Sequence, residues 1–285
     1  MSEGTILDRI VAQRRLDVRA AKEAVPFVEL QERLRSAPVA CDFVARLRES
    51  RPMALIAEIK RASPSKGDIA PGIDAVKQGR HYAEVGAAGI SVLTEPKWFK
   101  GTLDDMLGVR EAIDEMGDAR PGVLRKDFII DEYQVMEARA YGADSVLLIV
   151  AALSDGMLHG LLAMARDMGM EPLVEVNNST EMERAASAGA TLIGINNRDL
   201  RSFDVDLGTT DRLAAMAPKG ALLAALSGIS TRADVERFEA VGAEAVLVGE
   251  ALMVNGDVHA KAHELLGTRG IYDSRSAIVD SVVER

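Results

Sequence analysis

The chain has 285 residues, of which 48% are apolar and 27% charged, and its net charge is −10 at pH 7. An apolar fraction of this size allows a substantial core, and the acidic balance with scattered basic residues argues against a nucleic-acid surface. The single cysteine, Cys41, excludes an internal disulfide, and no apolar run reaches the roughly 18 to 20 residues that a membrane span needs. The N-terminus lacks the pattern of a targeting signal, so we expect a cytoplasmic protein.

The first predicted element is an amphipathic helix in the segment "TILDRIVAQRRLDVRAAKEAV". Apolar residues recur there near helical spacing, with charged residues between them, at Ile6, Ile10, Val11, Leu16 and Val18. Such a pattern is typical of a helix that buries one face. We expect residues 1–50 to form a helical extension that packs on the domain after it.

Eight short apolar runs follow, separated by helical patterns. Four of them come after a Gly-Ala turn that recurs about every 50 residues, in the phrases "VGAAGISVL", "YGADSVLLI", "AGATLIGI" and "VGAEAVLVG". The other four are "ALIAEI" (54–59), "GVLRKDF" (122–128), "PLVEV" (172–176) and "ALLAAL" (221–226). Among the helical patterns, "TRADVERFEAV" begins with Thr231 and Asp234 at the spacing of an N-cap.

The alternation of strand and helix predicts parallel strands joined by right-handed crossovers and buried on both faces. Eight such units predict an α/β fold, a (β/α)8 TIM barrel with an N-terminal helical extension. An open doubly wound sheet is the alternative, but no Gly-rich dinucleotide motif follows the first strand. The predicted organisation is an extension at residues 1–50, a catalytic barrel at 51–267, and a C-terminal tail at 268–285 to which we assign no function.

Polar side chains end several predicted strands, and in this fold those ends meet at one mouth. Burying such groups without purpose costs free energy, so we interpret them as a candidate active site, although Glu58 alone could be a structural ion pair. Alternation along the first strand places Glu58 and Lys60 on the same face. The set comprises Glu58, Lys60, Lys126, Glu175, Asn196, Asn197 and Ser227.

Glycines end the last two strands, in "LSGIST" and "VGEALM", each just before a helical start. In barrels of this kind, backbone N–H groups and helix N-termini in such positions hold phosphate. Ser63 and Arg198 offer further donors to an anion, whereas we interpret Ser65 and Lys66 as part of a solvated loop.

The loop "TEPKWFKG" after the second strand contains the only tryptophan, Trp98, beside Phe99. Two adjacent aromatic residues there indicate either a lid over an apolar part of a substrate or local packing. No spacing predicts a metal site, because the histidines lie on helical segments away from the strand ends, at positions 81, 159, 259 and 263.

Together these motifs resemble the indole-3-glycerol phosphate synthase family. The matching stretches are, in order, "AEIKRASPSKG", "LTEPKWFKG", "LRKDFIIDEYQV", "LVEV", "GINNRDL", "SGI" and "VGEALM", and the similarity covers residues 5 to 266. The resemblance implies a carboxy-lyase of tryptophan biosynthesis that closes the ring of the anionic substrate 1-(2-carboxyphenylamino)-1-deoxyribulose 5-phosphate, losing CO2 and water. It implies no cofactor and no metal, and it raises association with other enzymes of the pathway as an expectation.

The resemblance also implies a role for each matching residue. Lys126 matches the general acid that protonates the ketone oxygen of the substrate. Lys60 matches the lysine that binds the carboxylate, with Glu58 as its hydrogen-bonding partner, and Glu175 matches the general base. The remaining matches are Asn196 and Ser227 for ordering substrate and intermediates, Ser63, Arg198, Gly228, Gly249 and Glu250 for binding substrate and phosphate, and Phe99 and Phe128 for the walls of the anthranilate pocket.

One position departs from the family pattern, and other classes of barrel stay open. Leu226 stands where many members of the family carry a glutamate, so this chain does without that carboxylate. A phosphoribosylanthranilate isomerase would carry a cysteine in the first strand, whereas Cys41 precedes it. A Schiff-base aldolase would use Lys60 or Lys126 as a nucleophile, and a barrel kept as a binding module would show phosphate affinity without turnover.

Deleting residues 1–40 tests whether the extension contributes to the site. The apolar face of its helix has nowhere to be buried except on the barrel, so we expect soluble truncated protein to show a higher KM or a lower kcat. Steady-state kinetics with the carboxyphenylamino substrate measure this effect. Unchanged constants would rule the contribution out.

Overall fold

The computed structural model, which describes residues 4–50, 52–254 and 256–267, contains a closed barrel of eight parallel strands. The first barrel strand pairs with the last, so all eight predicted strands are confirmed and the sheet is not open. The strands are, in chain order, β1 (Ala54–Ile59), the antiparallel pair β2 (Ala62–Ser63) and β3 (Gly67–Asp68) outside the barrel, β4 (Gly89–Leu93), β5 (Gly122–Lys126), β6 (Ser145–Ile149), β7 (Leu173–Val176), β8 (Leu192–Asn196), β9 (Leu222–Leu226) and β10 (Ala245–Val248).

Helices surround the barrel and precede it. In the described ranges they are α1 (Ile6–Ala24), α2 (Phe27–Ser36), α3 (Phe43–Glu49), α4 (Ala75–Glu84), α5 (Leu103–Ile113), α6 (Glu132–Ala140), α7 (Asp155–Asp167), α8 (Ser179–Ser187), α9 (Gly208–Ala214), α10 (Arg232–Ala240), α11 (Glu250–Val254) and α12 (Val258–Leu266). The predicted N-cap of α10 is confirmed, since Thr231 and Asp234 bond each other's backbone N–H groups. None of the described helices has the length and apolar character needed to cross a membrane.

The strands are buried on both faces, as parallel strands covered by helices must be. Leu226 lies opposite Asn196 in the register of β9 and β8, so both side chains face the interior of the barrel. Leu226 is 1% exposed, and a Cβ atom at Gly194 would come within 2.7 Å of its Cδ1 atom. The leucine that departs from the family pattern is therefore a core side chain, and Gly194 makes room for it.

Helix α1 buries most of the apolar face that we expected, including Ile10, Val11 and Val18, but the face differs at two positions. Leu16 is 55% exposed, so its predicted burial is wrong, whereas the charged Arg14 is buried. Arg14 turns inward because its Nη2 atom lies 3.1 Å from a carboxylate oxygen of Asp127, directly after β5. The face that the helix turns toward the barrel is thus set by an ion pair as well as by its apolar residues. The domain boundaries themselves stay a prediction, and the predicted tail at 268–285 lies outside the described residues.

Asp127 is fully buried and accepts hydrogen bonds from three elements of the fold. Donors to its oxygens are the Thr94 hydroxyl at 2.6 Å, Arg14, the Arg125 guanidinium at 3.2 Å and the backbone N–H of Phe128 at 2.8 Å. Burial raises the pKa of this carboxyl, but the charges of Arg125 and Arg14 outweigh it and hold the pKa below 3.8. Asp127 therefore ties the N-terminal helix to the ends of β4 and β5.

Asp127→Asn is expected to lower the free energy of unfolding by about 1.5 to 3 kcal/mol, because the buried guanidinium groups of Arg14 and Arg125 each lose one of the two carboxylates that they contact. Since the folded pKa is depressed, the stabilisation is present above pH 3.8 and is lost as the pH falls below it through the folded value. The variant should therefore lose less stability than the parent on acidification in that range. Urea unfolding as a function of pH measures both effects.

Asp167→Asn is the matched control, because this aspartate is exposed at the end of α7. We expect it to leave the acid dependence of unfolding unchanged. A parental acid dependence in the Asp127 variant would contradict the assignment.

Candidate active site

The carboxyl ends of the barrel strands enclose a cleft of about 710 Å³ that is partly open to solvent. The structure brings together there all six residues predicted to be catalytic, namely Glu58, Lys60, Lys126, Glu175, Asn196 and Ser227. Asn197 does not join them, since its amide donates to the Ser227 carbonyl and accepts from Thr210. Because these side chains line one cleft, they can act on the same bound molecule. Their individual roles stay predictions.

Glu58 and Lys60 form an ion pair at the end of β1, with 2.9 Å between the carboxylate oxygen Oε1 and Nζ. Glu58 is buried, and burial raises its pKa, but the charges of Lys60 and Lys126 outweigh burial and lower the pKa overall. The carboxylate therefore stays ionised and holds the Lys60 ammonium at the mouth of the barrel. This geometry fits both an ion pair that caps the core and a positioned cation for an anionic substrate.

The two oxygens of Glu175 have different surroundings. Oε1 accepts a hydrogen bond from the Asn196 amide at 2.9 Å, which fixes the orientation of the carboxylate. Oε2 is buried, has no hydrogen-bond partner among the described residues, and lies 3.6 Å from Nζ of Lys126. One oxygen is thus free to accept a proton, and an ammonium group that can donate one stands beside it.

Aromatic and aliphatic side chains line the other end of the cleft. The rings of Phe99 and Phe128 lie 6.0 Å apart between centroids and are inclined at 41°. Leu200 and Phe203, from the loop after β8, complete this apolar end. Sequence reasoning missed both, because an irregular loop has no periodicity that would indicate which of its side chains turn inward. The positive φ of Phe203, 65°, is not readable from the sequence either.

The loop after β4 serves both purposes that the sequence left open. Phe99 lines the cleft, whereas Trp98 packs against the apolar cluster inside the barrel. Lys97 lies over the Trp98 ring, with Nζ 4.9 Å from its centroid. The tryptophan is therefore local packing, and the phenylalanine is a wall of the site.

A second part of the cleft, beside the lysines, is built from the turns after β9 and β10. Ser227 and Gly228 have φ values of 66° and 80°, and successive N–H groups in such a turn form a concavity for anions. The predicted residues Arg198, Gly249 and Glu250 line this part too, and Ser63 lines the first part. Lys66 is exposed, in keeping with our interpretation of a solvated loop, and it also pairs with Glu250 and lines both parts.

Gly249 is required by its neighbour Glu58. A Cβ atom at this position would lie 2.7 Å from Oε1 and 3.2 Å from Cβ of Glu58. The absence of a side chain therefore gives the buried carboxylate its space.

Within the described ranges, no group of three or more His, Cys, Asp or Glu side chains is arranged to hold a metal ion. The groups that the cleft offers to a ligand are therefore ammonium, guanidinium, carboxylate, amide, hydroxyl and backbone groups beside an apolar wall.

Comparison with known proteins gives a consistent result. A family model described as indole-3-glycerol phosphate synthase matches residues 7–265. An indole-3-glycerol phosphate synthase of Roseiflexus sp. is 48% identical, and the match covers 92% of this chain and 98% of the relative. A multifunctional tryptophan biosynthesis protein of Phycomyces blakesleeanus is 56% identical over 268 residues. This chain spans about a third of the length of that fungal protein, with 35% of it covered.

Solved structures show the fold alone. A 3-hexulose-6-phosphate synthase matches with a TM-score of 0.56 at 19% identity, and the match covers 75% of this chain and 98% of that structure. A thiamine phosphate pyrophosphorylase from Pyrococcus furiosus also has a TM-score of 0.56, at 18% identity.

Gly249→Ala should displace the Glu58 carboxylate, because the added Cβ atom meets it at 2.7 Å. We expect kcat/KM, measured with the substrate that the family resemblance implies, to fall at least about tenfold, which corresponds to roughly 1.4 kcal/mol of lost transition-state stabilisation. Gly156→Ala is the control, since nothing lies within 4 Å of a Cβ atom there. Equal activity of the two alanine variants would show that the fit between Gly249 and Glu58 is unimportant.

Proposed function

The chain belongs to the indole-3-glycerol phosphate synthase family, and from this premise we propose that it converts 1-(2-carboxyphenylamino)-1-deoxyribulose 5-phosphate into indole-3-glycerol phosphate, CO2 and water. The observation that carries the proposal is the two-ended cleft. Lys60 and Lys126, each beside a buried carboxylate, stand at one end, and the aromatic walls Phe99 and Phe128 stand at the other. A substrate that joins an aryl acid to a sugar phosphate needs both.

Ring closure is the first bond-forming step. The ring carbon that bears the carboxylate attacks the ketone carbon, and the ketone oxygen becomes a hydroxyl when it takes a proton. Lys126 is the assigned donor, and a well-placed general acid contributes about 10²- to 10⁴-fold to such a step. The aromatic walls hold the ring in line with the ketone, which lowers the entropic part of the barrier.

Decarboxylation and dehydration follow and restore aromaticity. Lys60, which pairs with Glu58, is assigned to neutralise the substrate carboxylate and later to supply a proton. The bond from the ring to the carboxylate breaks, and its electron pair returns to the ring as CO2 leaves. Loss of water then needs an acid at the departing hydroxyl and a base for the proton on the adjacent carbon of the newly closed ring. The Oε2 atom of Glu175, which has no hydrogen-bond partner among the described residues, is the available base.

The phosphate is assigned to the turns after β9 and β10, where Ser227, Gly228 and Gly249 lie. Binding energy at this remote group positions the reacting atoms, so it is expressed in the rate as well as in affinity. Asn196 orders the site through its bond to Glu175, and Arg198 adds a positive charge near the sugar phosphate.

The isomerase alternative is disfavoured by the place of the only cysteine. The Cys41 backbone N–H donates to Asp144, just before β6, which puts the thiol at the amino ends of the strands, away from the cleft. Burial raises the pKa of this thiol to about 11. A cysteine in that state and place is no catalyst for chemistry in the cleft.

We also propose that the chain acts beside other enzymes of tryptophan biosynthesis, because fungal relatives at 53% to 56% identity bear the name multifunctional tryptophan biosynthesis protein. The lone cysteine supports a reducing compartment, the cytoplasm.

Replacing the two lysines separately tests the assigned roles. Lys126→Met should abolish turnover or raise the activation barrier by roughly 3 to 5 kcal/mol, because no other donor is assigned to the ketone oxygen. Lys60→Met should raise KM and slow a later step. Single-turnover kinetics that detect ring-closed material separate these outcomes: the Lys126 variant should accumulate open-chain substrate, and the Lys60 variant a cyclised intermediate.

Indole fluorescence produced by the parent enzyme is the reference for both variants. Its absence from the parent would refute the proposed function. Ring-closed species formed at the parental rate by the Lys126 variant would transfer the role of first acid to Lys60. Borohydride trapping of substrate on either lysine would instead favour the Schiff-base alternative.

A further inference from the structure

Glu95 is a fully buried carboxylate that neither faces the cleft nor forms an ion pair among the described residues. Its oxygens accept three successive backbone N–H groups of the following loop. The distances are 2.9 Å from Lys97, 2.7 Å from Trp98 and 3.0 Å from Phe99. A negative charge out of contact with water is stable only with such donors. The ionised carboxylate and the loop conformation therefore depend on each other.

The rest of this loop is also constrained. The Gly101 N–H donates to the Glu95 carbonyl at 3.0 Å, which closes the turn from 95 to 101. A Cβ atom at Gly101 would lie 1.8 Å from the Leu93 carbonyl oxygen, so the chain returns directly against the end of β4. Lys100, the residue before Gly101, has a φ of 56°. Trp98 and Phe99 are only partly buried, so apolar packing alone does not hold the turn in place.

The opposite aromatic wall is held in the same manner. The Phe128 N–H donates to the buried carboxylate of Asp127 at 2.8 Å, as the Phe99 N–H donates to Glu95. The Phe128 ring thus follows its buried carboxylate directly in the chain, and the Phe99 ring follows its own by one short turn. The 6.0 Å between the rings follows from where the two carboxylates place the backbone.

We propose that Glu95 is a positioning residue that sets the width of the aryl subsite. The inference rests on the proposed function and deepens it, because the group recognised between Phe99 and Phe128 is the aromatic ring of the substrate. Glu95 touches no substrate atom; it acts through the backbone N–H of Phe99. Loss of its carboxylate lets the turn from 95 to 101 relax, and the ring of the substrate then loses its alignment with the ketone carbon.

This role predicts a selective defect. Ligands that carry an aryl group depend on the distance between the two walls, whereas inorganic phosphate, bound at the turns after β9 and β10, does not. A merely structural role would weaken both kinds of ligand together with thermal stability. The chain also contains a built-in probe, because Trp98 is its only tryptophan and donates to Glu95.

The experiment compares Glu95→Ala, Glu95→Gln and the parent, with Glu111→Gln, at an exposed glutamate on α5, as control. Glu95→Ala should lower kcat/KM at least tenfold, weaken binding of indole-3-glycerol phosphate similarly, and leave binding of inorganic phosphate within twofold. Acrylamide should quench Trp98 fluorescence at least twice as efficiently. Glu95→Gln keeps one acceptor oxygen and should lie between parent and alanine variant, and the control should match the parent.

Three results would overturn the inference. They are kcat/KM of Glu95→Ala within twofold of the parent, equal weakening of product and phosphate binding, and unchanged Trp98 quenching. If Glu95→Ala does not fold, the same three measurements on Glu95→Gln decide. If the parent enzyme forms no indole-3-glycerol phosphate, the proposed function is refuted instead. Trp98 quenching and the binding of the two ligands would still test the role of Glu95 in that case.

Discussion

A carboxylate can be buried at the mouth of this barrel only where a nearby cation or hydrogen-bond donors compensate for the lost water, and this requirement organises the site. Glu58, Glu175, Asp127 and Glu95 are all nearly or fully inaccessible to water. Each meets the requirement differently: by a lysine ammonium, by an amide with a lysine nearby, by two guanidinium groups with a hydroxyl, or by three backbone N–H groups. Ion pairing of this kind stabilises little by itself, but breaking one side of it is costly, so the arrangement fixes geometry.

The four carboxylates divide into two pairs by what they hold. Glu58 and Glu175 lie beside the lysines of the cleft. Asp127 holds the end of β5, which carries Lys126 and Phe128, and Glu95 holds the turn that carries Phe99, in both cases through backbone N–H groups. Residues 126 to 128 show this within one stretch, since an ammonium group that lines the cleft, a buried carboxylate and an aromatic wall follow one another.

The sequence was sufficient to predict what depends on local pattern. Eight apolar runs predicted eight strands, and polar residues at their ends predicted which side chains share the cleft, because the topology of a parallel barrel gathers those ends. Contacts between distant segments were not predictable. Arg14 and Asp127 are 113 residues apart, and nothing near Arg14 in the chain indicates a buried partner. Leu16 was misassigned for the same reason. No sequence pattern singles out Glu95, because its partners are backbone atoms.

The fit between Gly194 and Leu226 bears on how this chain can change over evolutionary time. The Leu226 side chain occupies space that a side chain at position 194 would need, so substitutions at the two positions are not independent. A larger residue at 194 is accessible only after the side chain at 226 has become smaller, so the order of mutational steps is restricted. Position 226 faces the same interior as Asn196, so a carboxylate there would also need a donor.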